Sequence, residues 1–298
     1  MLVTQKRRAL VLRTARCWWP QTAEEAIGAL SAAPVVTVVQ CRPEITAALE
    51  RWTFRATPFL TLLVDLSLGE DALWRELHTL GKRQIKKAQK LGAELTVGQH
   101  EEAAFAVIND SIRRQGYRPP ISRVEWADVL SYSDLFVARL EGEVLAAHVL
   151  PTDRSTRAQL LFSATVERAT SRFKDEIGPL NRLLHWFEFQ HYREAGVPVY
   201  DFGGVVLDPG HPLHGIGLFK QSFGGRIVAE DVVRLARNPA LRAALSIAVQ
   251  SRAAAARIDP ASLADAAAYS QAPLPARPGG SEPAAASADG AALPGRTG

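Results

Sequence analysis

The chain has 298 residues, 47% of them hydrophobic and 22% charged, and a formal net charge of +4, which is the composition of a globular protein with one large core or two smaller ones. Charged residues interrupt every apolar stretch before the roughly 20 residues of a membrane span, and the uncharged run at 9–12 is too short for a signal-peptide core. Two cysteines, Cys17 and Cys41, exclude a disulfide framework and lack metal-site spacing, so we expect a protein of the reducing cytoplasm.

The N-terminal third alternates between strand and helix patterns. Continuous apolar runs predict buried strands at 35–39 and 59–66, with a helix over 44–51 between them. Helical spacing of apolar residues continues over 71–80 and then through a basic segment that ends at Gly92. The order is that of a βαβ unit followed by a pair of helices.

A second alternating unit follows the basic segment. We predict a strand at 93–97, a helix over 101–115 and a short helix opened by a capping box of Ser122 and Glu125. Two strands then flank a turn at Gly142, and a third extends the meander; the three strands are predicted at 135–140, 144–150 and 158–162. This meander is the clearest β pattern in the chain.

The remaining elements end in a tail of different composition. A strongly amphipathic helix is predicted over 179–195, a buried strand at 197–201, a closing strand at 227–233 and an alanine-rich helix from 239 to about 257. Residues 270–298 consist largely of proline, glycine, alanine and serine, so we expect this tail to be disordered.

One region contains more glycine, aromatic and charged residues than packing alone requires. It consists of residues 200–204 (Tyr-Asp-Phe-Gly-Gly) and 217–226 (Gly-Leu-Phe-Lys-Gln-Ser-Phe-Gly-Gly-Arg). The first segment ends a predicted strand, and α/β proteins usually bind ligands at the carboxyl ends of strands. We therefore expect the functional site here.

Three parts of the chain resemble the FemAB-like branch of the GNAT acyltransferase superfamily. Segments 73–77 and 81–92 resemble the family's basic helix pair, and 179–186 resembles the start of its long helix. Segments 200–204 and 218–225 resemble its closing signature, commonly F-K-x-x-F-G, which is the most specific of the three. The predicted order of helix, meander, long helix and closing strands is also that of the GNAT fold.

The resemblance implies an α/β (α+β) fold with a GNAT-like mixed sheet flanked by helices. FemAB proteins have two GNAT-like lobes, and the residues before position 93 are too few for a complete first lobe. We therefore expect a truncated N-terminal lobe at 1–92 and the acyltransferase domain at 93–236. A helical extension at 237–269 and the disordered tail at 270–298 complete the predicted organisation.

Two residues are candidate catalytic groups. If residues 218–223 form a helical turn, Phe219 and Phe223 share a face and Lys220 lies beside them, where its ammonium can stabilise an oxyanion. The alternative is a surface lysine whose stem covers a ring. Asp201 either takes a proton from the attacking amine or caps the glycine turn that follows it.

Other residues are predicted to contact substrate. The glycine pairs either admit substrate or supply positive φ angles, and the remaining residues are chosen by their position in the family's segments. The predicted set is Arg83, Lys86, Asn181, Phe219, Phe223, Gly203, Gly204, Gly224 and Gly225.

Basic residues and histidines are further candidates for binding a ligand or a metal. Lys82, Lys86 and Lys90 repeat every four residues, and this stripe either contacts a nucleotide diphosphate, tRNA backbone or CoA, or is a solvated helix face. No metal site is predicted, because His185 and His191 lie six positions apart on one predicted helix, which is not a metal-pair spacing.

The resemblance implies an N-acyltransferase that moves an acyl or aminoacyl group from an activated thioester or ester to an amine of a cell-envelope precursor, as in peptidoglycan, or of a small metabolite. No permanent cofactor is expected; the donor is acyl-CoA or aminoacyl-tRNA, although residues 163–172 lack the usual CoA phosphate loop. A tRNA partner is possible, DNA is not expected, and the oligomeric state stays open. The alternatives are a non-catalytic GNAT-like module that binds an anionic sugar nucleotide, lipid or RNA, and a CoA-dependent sugar or metabolite N-acyltransferase.

Overall fold

The computed structural model describes residues 2–8, 12–116 and 118–256. The tail predicted at 270–298 and the end of the predicted helical extension lie outside these residues. The strands are Leu2–Arg8 (β1), Leu12–Trp18 (β2), Val35–Cys41 (β3), Thr53–Asp65 (β4), Glu94–Val97 (β5), Ser133–Leu140 (β6), Glu143–Pro151 (β7), Arg157–Gln159 (β8), Phe162–Thr165 (β9), Val199–Gly204 (β10) and Arg226–Ala236 (β11).

Helices connect these strands and cover the sheets. They are Ala23–Gly28 (α1), Pro43–Ala48 (α2), Glu70–Glu76 (α3), Thr79–Gln89 (α4), Glu101–Gln115 (α5), Arg123–Leu130 (α6), Ile177–Glu194 (α7), His214–Gln221 (α8) and Pro239–Ala256 (α9). Within the described part of the chain, none of them has the length and apolarity that crossing a membrane requires.

The described strands form two sheets. One is mixed and has seven strands in the order β1-β2-β3-β11-β4-β10-β8, and the other is antiparallel with four strands in the order β5-β6-β7-β9. The 13-residue strand β4 pairs with both β10 and β11, so it joins the N-terminal strands to the end of the chain.

The two sheets diverge at two consecutive residues. The amide of Leu160 donates to the carbonyl oxygen of Asp201 in β10 at 2.8 Å, whereas the amide of Leu161 donates to the carbonyl oxygen of Val149 in β7 at 2.9 Å. The chain thus leaves one sheet and enters the other between β8 and β9. Strands β9 and β10 are not paired with each other in the described sheets, and we call this break in pairing the gap between the sheets.

Helix α7 packs against β6 and β7 of the four-stranded sheet and against α4. Its side chains Leu180, Leu184 and Phe189 are at most 1% exposed and join Tyr200 and Phe202 of β10 in the largest apolar cluster. Burying each such side chain contributes about 1.5–3 kcal/mol. The helix is therefore held firmly beside the gap in the sheets.

Two further apolar clusters complete the core. One lies between the N-terminal helices and strands β2, β3 and β11, and the other lies where α5 and α6 cover β6, β7 and β9. The predicted capping box is confirmed, since the Ser122 hydroxyl accepts a hydrogen bond from the Glu125 amide at 3.1 Å. The predicted α/β class, with mixed sheet and flanking helices, is also confirmed.

Two predicted elements are wrong in detail. The single strand predicted at 158–162 is two strands, β8 and β9, because its central residues bond to different sheets. The helix predicted at 71–80 ends at Glu76, and α4 starts at Thr79 with His78 in extended conformation as its N-cap. Gly81, which follows the first predicted helical segment, lies inside α4.

The N-terminal hairpin of β1 and β2 is not predicted from the sequence. Its strands mix charged and apolar residues without a long apolar run, so they lack the pattern of a buried strand. The predicted boundary between residues 92 and 93 separates α4 from β5, although β8, β10 and β11 return to the sheet of the N-terminal strands. The domain division stays a prediction.

Gly225 directly precedes β11. A substitution at this position tests how closely its backbone packs against β4. It has a φ of +83°, and a Cβ atom would lie 3.0 Å from Val64 Cγ2 and closer still to the Leu63 carbonyl oxygen. Gly92 has a φ of +67° and open space around it. We expect Gly92→Ala to cost about 1–2 kcal/mol from backbone strain alone, and Gly225→Ala to cost clearly more because of overlap.

Urea unfolding of both variants measures this difference. Equal losses of unfolding free energy would show that β4 and the turn are not packed as closely as described.

Candidate functional site

Lys220 lies on α8 and reaches back to the end of β10. Its ammonium donates a hydrogen bond to the carbonyl oxygen of Gly204 at 2.7 Å, and the side chain is half-buried. Burial lowers the pKa of Lys220 to about 8, against the opposing effect of the negative charge on Asp201. The residue is therefore a partly desolvated cation beside the gap between the sheets, and not a freely solvated surface lysine.

The two phenylalanines that flank Lys220 in sequence pack together. Their ring centroids lie 5.4 Å apart, with Phe223 buried and Phe219 half-buried. Helix α8 covers 214–221 rather than the predicted turn at 218–223, so Phe223 follows the end of the helix. The two rings are in contact, as expected, and their role in binding substrate stays a prediction.

Arg182 of α7 adds a second cation that the sequence did not single out. Its guanidinium lies 4.5 Å from the ring centroid of Phe219 and 5.4 Å from that of Phe223, and it donates to the Ser222 hydroxyl at 2.6 Å. Burial lowers its pKa, but an arginine remains charged at neutral pH. Both rings of the predicted site thus contact a guanidinium.

Asp201 is fully buried, and its carboxylate accepts four hydrogen bonds. The donors are Gln40 Nε2 at 2.8 Å, the Gly203 amide at 2.7 Å, Arg157 Nη1 at 3.3 Å, and the Thr61 hydroxyl. The bond from Gly203 is the turn-capping contact that was the alternative explanation for this aspartate. The geometry favours that role, and proton transfer to Asp201 stays a prediction.

The four glycines of the predicted site allow close backbone approach. A Cβ at Gly203 would lie 3.2 Å from the Leu160 carbonyl oxygen, and one at Gly224 would lie 2.7 Å from Glu76 Cβ. Gly203, Gly224 and Gly225 have positive φ, whereas Gly204 lies against the ring of Phe59. Each glycine has a packing reason, and contact with a substrate stays a prediction.

The basic helix α4 starts next to the end of α8. The amide of His78 donates to the Ser222 carbonyl oxygen at 2.9 Å. Further along α4, Arg83 is exposed, and the Lys86 ammonium lies 5.8 Å from the ring centroid of Trp74. The stripe is thus a solvent-facing surface that begins beside the candidate site.

Asn181 belongs to a buried polar cluster that the sequence did not predict. Its Oδ1 atom lies 2.9 Å from His148 Nε2, and the other ring nitrogen of His148 lies 2.5 Å from Glu188 Oε1. Glu188 Oε2 lies 3.0 Å from His185 Nδ1 and accepts from the Tyr200 hydroxyl at 2.5 Å. The cluster joins β7, α7 and β10 beneath α8.

The hydrogen bonds determine the charges in this cluster. His148 Nδ1 donates to the Glu188 carboxylate, because a carboxylate oxygen only accepts. Burial alone would raise the pKa of Glu188, but its interactions with His148 and His185 outweigh burial and lower the pKa to about 2. Burial and the charge on His148 lower the pKa of His185 to about 4, so this ring is neutral at pH 7.

One atom of the cluster has no partner. His185 Nε2 is buried and makes no hydrogen bond, while the ring is surrounded by Phe202, Phe219 and Phe223 at centroid distances of 5.1, 5.8 and 5.1 Å. An unsatisfied buried polar atom costs about 1–3 kcal/mol. Such a cost calls for a functional explanation.

His148, His185 and Glu188 are also residue types that bind divalent metals, and one ligand atom from each lies within 4.8 Å of the others. Glu188 oxygens nevertheless lie at hydrogen-bonding distance, 2.5 and 3.0 Å, from the Nδ1 atoms of the two histidines. This spacing fits protonated nitrogens that donate to a carboxylate. The expectation that the protein has no metal site stays a prediction.

The cluster could have been found from polar residues at core positions. His148 interrupts an apolar strand, and Glu188 lies one turn after His185 on the same helix. The sequence suggested comparing His185 with His191. The histidine that lies next to His185 in the structure is instead His148, which comes from a strand distant in sequence. Polar residues on predicted buried faces were the available signal.

A separate cavity of about 330 Å³ lies near the N terminus, lined by Leu2, residues 130–133 and residues 152–154. None of the residues predicted to form the site lines this cavity.

The fold is similar to that of a solved structure from the FemAB family, which the sequence also resembles. The solved structure of FemX, a FemAB-family protein, matches 81% of this chain and 85% of its own with a TM-score of 0.59 and 12% identity. At that identity the match establishes a shared fold.

Two other solved structures are similar at lower TM-scores. The C-terminal domain of a putative lysylphosphatidylglycerol synthetase from Agrobacterium fabrum is 17% identical over 83% of each chain, with a TM-score of 0.49. A GCN5-related N-acetyltransferase from Kribbella flavida is 13% identical over 77% of this chain and 83% of its own, with a TM-score of 0.37. No family model matches the sequence, and no curated protein matches it significantly.

Substitution of the buried residue Glu188 tests the interactions described for the polar cluster. We expect Glu188→Gln to cost about 3–5 kcal/mol of unfolding free energy at pH 7, because it breaks the buried pair between the Glu188 carboxylate and His148 Nδ1. The folded-state pKa of Glu188 is about 2 and its ordinary value is 4.5, so its contribution is present above pH 4.5 and is lost as the pH falls towards 2. The difference between variant and wild type should shrink over that interval.

Glu194→Gln is the control, because Glu194 lies on α7 but is exposed; we expect a change within about 0.5 kcal/mol. Chemical denaturation at several pH values measures both. A Glu188→Gln variant as stable as Glu194→Gln would contradict the described charge cluster.

The ammonium of Lys220 should titrate early. Because burial disfavours its charged form, we expect one lysine resonance with a midpoint near pH 8 instead of the ordinary 10.5. NMR of protein carrying ¹³C-labelled lysine measures the titration. The early resonance should disappear in Lys220→Met and persist in Lys174→Met, which changes an exposed lysine; a Lys220 midpoint near 10.5 would mean that the side chain is solvated.

Proposed function

We propose that this protein is an N-acyltransferase, which transfers an acyl or aminoacyl group from a thioester or ester donor to an amine. The observation that carries the proposal is the desolvated Lys220 ammonium, bound 2.7 Å from the Gly204 carbonyl oxygen where the two sheets diverge. The FemX-like fold supports the reaction class.

The chemistry needs charge stabilisation more than a covalent intermediate. When an amine attacks the donor carbonyl, negative charge develops on the carbonyl oxygen. A lysine that already lies in a partly dry environment stabilises this charge more than a solvated one does. Lys220 would exchange its hydrogen bond to Gly204 for one to the oxyanion, and the rigid frame of β10 and α7 would position the reactants.

The surroundings of Lys220 support the proposed class of donor. The exposed basic face of α4 begins beside α8, and Arg182 adds a further cation. Both support an anionic donor, acyl-CoA or aminoacyl-tRNA, whose phosphates would contact Arg83 and Lys86. The acceptor would be an amine of a cell-envelope precursor or of a small metabolite, and we place the reaction in the cytoplasm.

The basic face also favours a second candidate. A non-catalytic module would use the same exposed residues of α4 to hold an anionic sugar nucleotide, lipid or RNA. The two functions differ in what Lys220 does, because a binding module does not need a lysine that titrates early at the end of β10.

A ligand and turnover experiment separates these functions. Thermal-shift measurements with acetyl-CoA, a UDP-sugar and aminoacyl-tRNA identify the donor class, since a ligand at 100 times its dissociation constant adds about 2.7 kcal/mol of apparent stability. With the donor that binds, we expect amide formation on an amine panel, detected by mass spectrometry. Lys220→Met should lower the transfer rate about 10²–10³-fold while donor binding is retained.

Lys174→Met serves as the charge-matched control and should transfer at the wild-type rate. Unchanged turnover in Lys220→Met would remove this lysine from the mechanism. Donor binding without any transfer by the wild-type protein, lost in an Arg83→Ala and Lys86→Ala double variant, would support the binding module instead.

A further inference from the structure

We propose that Nε2 of His185 accepts the proton of the amine during acyl transfer, and that Glu188 is its positioning residue. This inference rests on the acyl-transfer function proposed above and identifies the group that takes the proton.

Hydrogen bonding decides which nitrogen of His185 carries its hydrogen. Nδ1 lies 3.0 Å from Glu188 Oε2 and 3.0 Å from the Tyr200 hydroxyl oxygen. Because a carboxylate oxygen only accepts, Nδ1 must donate. In a neutral ring the lone pair is then on Nε2, the buried atom without a partner.

The charged groups that face His185 come from every element packed around it. His148 of β7 stacks on its ring at a centroid distance of 4.3 Å, Glu188 and Tyr200 approach from α7 and β10, and the charge of Lys220 acts from α8. The two cations disfavour protonation at rest, whereas Glu188 stabilises an imidazolium once it forms. The neutral ring can therefore accept a proton, and Glu188 stabilises the imidazolium that forms.

One ring in contact with His185 is next to Lys220 in the chain. Of the three phenylalanine rings around His185, Phe202 and Phe223 are buried, but Phe219 is half-buried and directly precedes Lys220. His185 Nε2 is buried, so the proposed proton transfer requires the Phe219 side chain to rotate and admit the amine held at the donor carbonyl.

Other buried groups are already engaged. Asp201 accepts four hydrogen bonds, Glu188 accepts three, and both nitrogens of His148 are bonded. His214 on α8 also has an unpartnered nitrogen, Nδ1, and is the rival histidine. It lacks a carboxylate partner among the hydrogen bonds of the described residues.

Acyl transfer includes two proton transfers, one to His185 and one from it. The amine nitrogen attacks the donor carbonyl carbon, a C–N bond forms, and the oxyanion is stabilised by Lys220. The amine's proton passes to His185 Nε2 while Nδ1 stays bonded to Glu188. When the C–O or C–S bond breaks, the same proton passes from Nε2 to the leaving oxygen or sulfur, and His185 returns to its neutral state.

An NMR experiment tests the tautomer without any substrate. In protein with ¹⁵N-labelled histidine at pH 7, we expect His185 to show a protonated Nδ1 and an unprotonated Nε2, assigned by comparison with His185→Gln. Glu188→Gln should remove this preference, and Glu188→Asp should keep it. A His185 that carries its hydrogen on Nε2 would overturn the proposal, whatever the activity.

Kinetics test the role in transfer with the donor and amine pair found above. We expect His185→Gln to lower kcat about 10²–10⁴-fold, the usual effect of losing a general base, with KM changed less than about threefold. Glu188→Gln should lower kcat, and Glu188→Asp should recover part of it. His191→Gln is the matched control, because His191 lies on α7 outside the cluster, against the ring of Phe136.

The outcomes separate the two proposals. A wild-type protein that transfers no acyl group from any donor refutes the proposed function. Wild-type transfer that is unaffected in His185→Gln, or is lost in His214→Gln instead, refutes only the assignment of His185. A folded His185→Gln protein, checked by circular dichroism, that binds donor but does not transfer is the expected result.

Discussion

The fold around the candidate site depends on one buried guanidinium. Arg157 of β8 donates two hydrogen bonds to Glu230 of β11, at 2.8 and 2.9 Å, and a third to Asp201 of β10 at 3.3 Å. Burial raises the pKa of Glu230, so this carboxylate needs the arginine to stay ionised. Asp201 in turn binds the Gly203 amide, which fixes the end of β10 and with it the carbonyl that Lys220 contacts. Removing the arginine would leave the buried carboxylate of Glu230 without the cation that it pairs with.

Local patterns predicted most of the fold. The hairpin at β6 and β7, the long helix α7 and the basic helix α4 follow from apolar spacing and turn glycines, which act over a few neighbouring residues. The split between β8 and β9 does not follow from local patterns, because Leu160 and Leu161 are identical residue types that bond to different strands. Their partners are set by tertiary contacts that have no counterpart in local sequence.

The candidate site likewise has one part that the sequence predicted and one part that it did not. Lys220 and its flanking phenylalanines were recognisable because they are adjacent in sequence and match a family signature. The cluster around Glu188 was not, since His148 lies 40 positions away on a strand and both residues fall in mainly apolar segments. The ring of Phe219 lies 5.8 Å from that of His185 and directly precedes Lys220 in the chain, so it connects the predicted part of the site with the part that was missed.

The ends of the two sheets have a consequence for self-association. An open strand edge offers unpaired backbone groups to another molecule, which is how sheets polymerise. Here three of the four outer strands of the described sheets, β5, β8 and β9, have only four, three and four residues. Such short strands offer few unpaired backbone groups, which opposes edge-to-edge stacking of copies into fibrils.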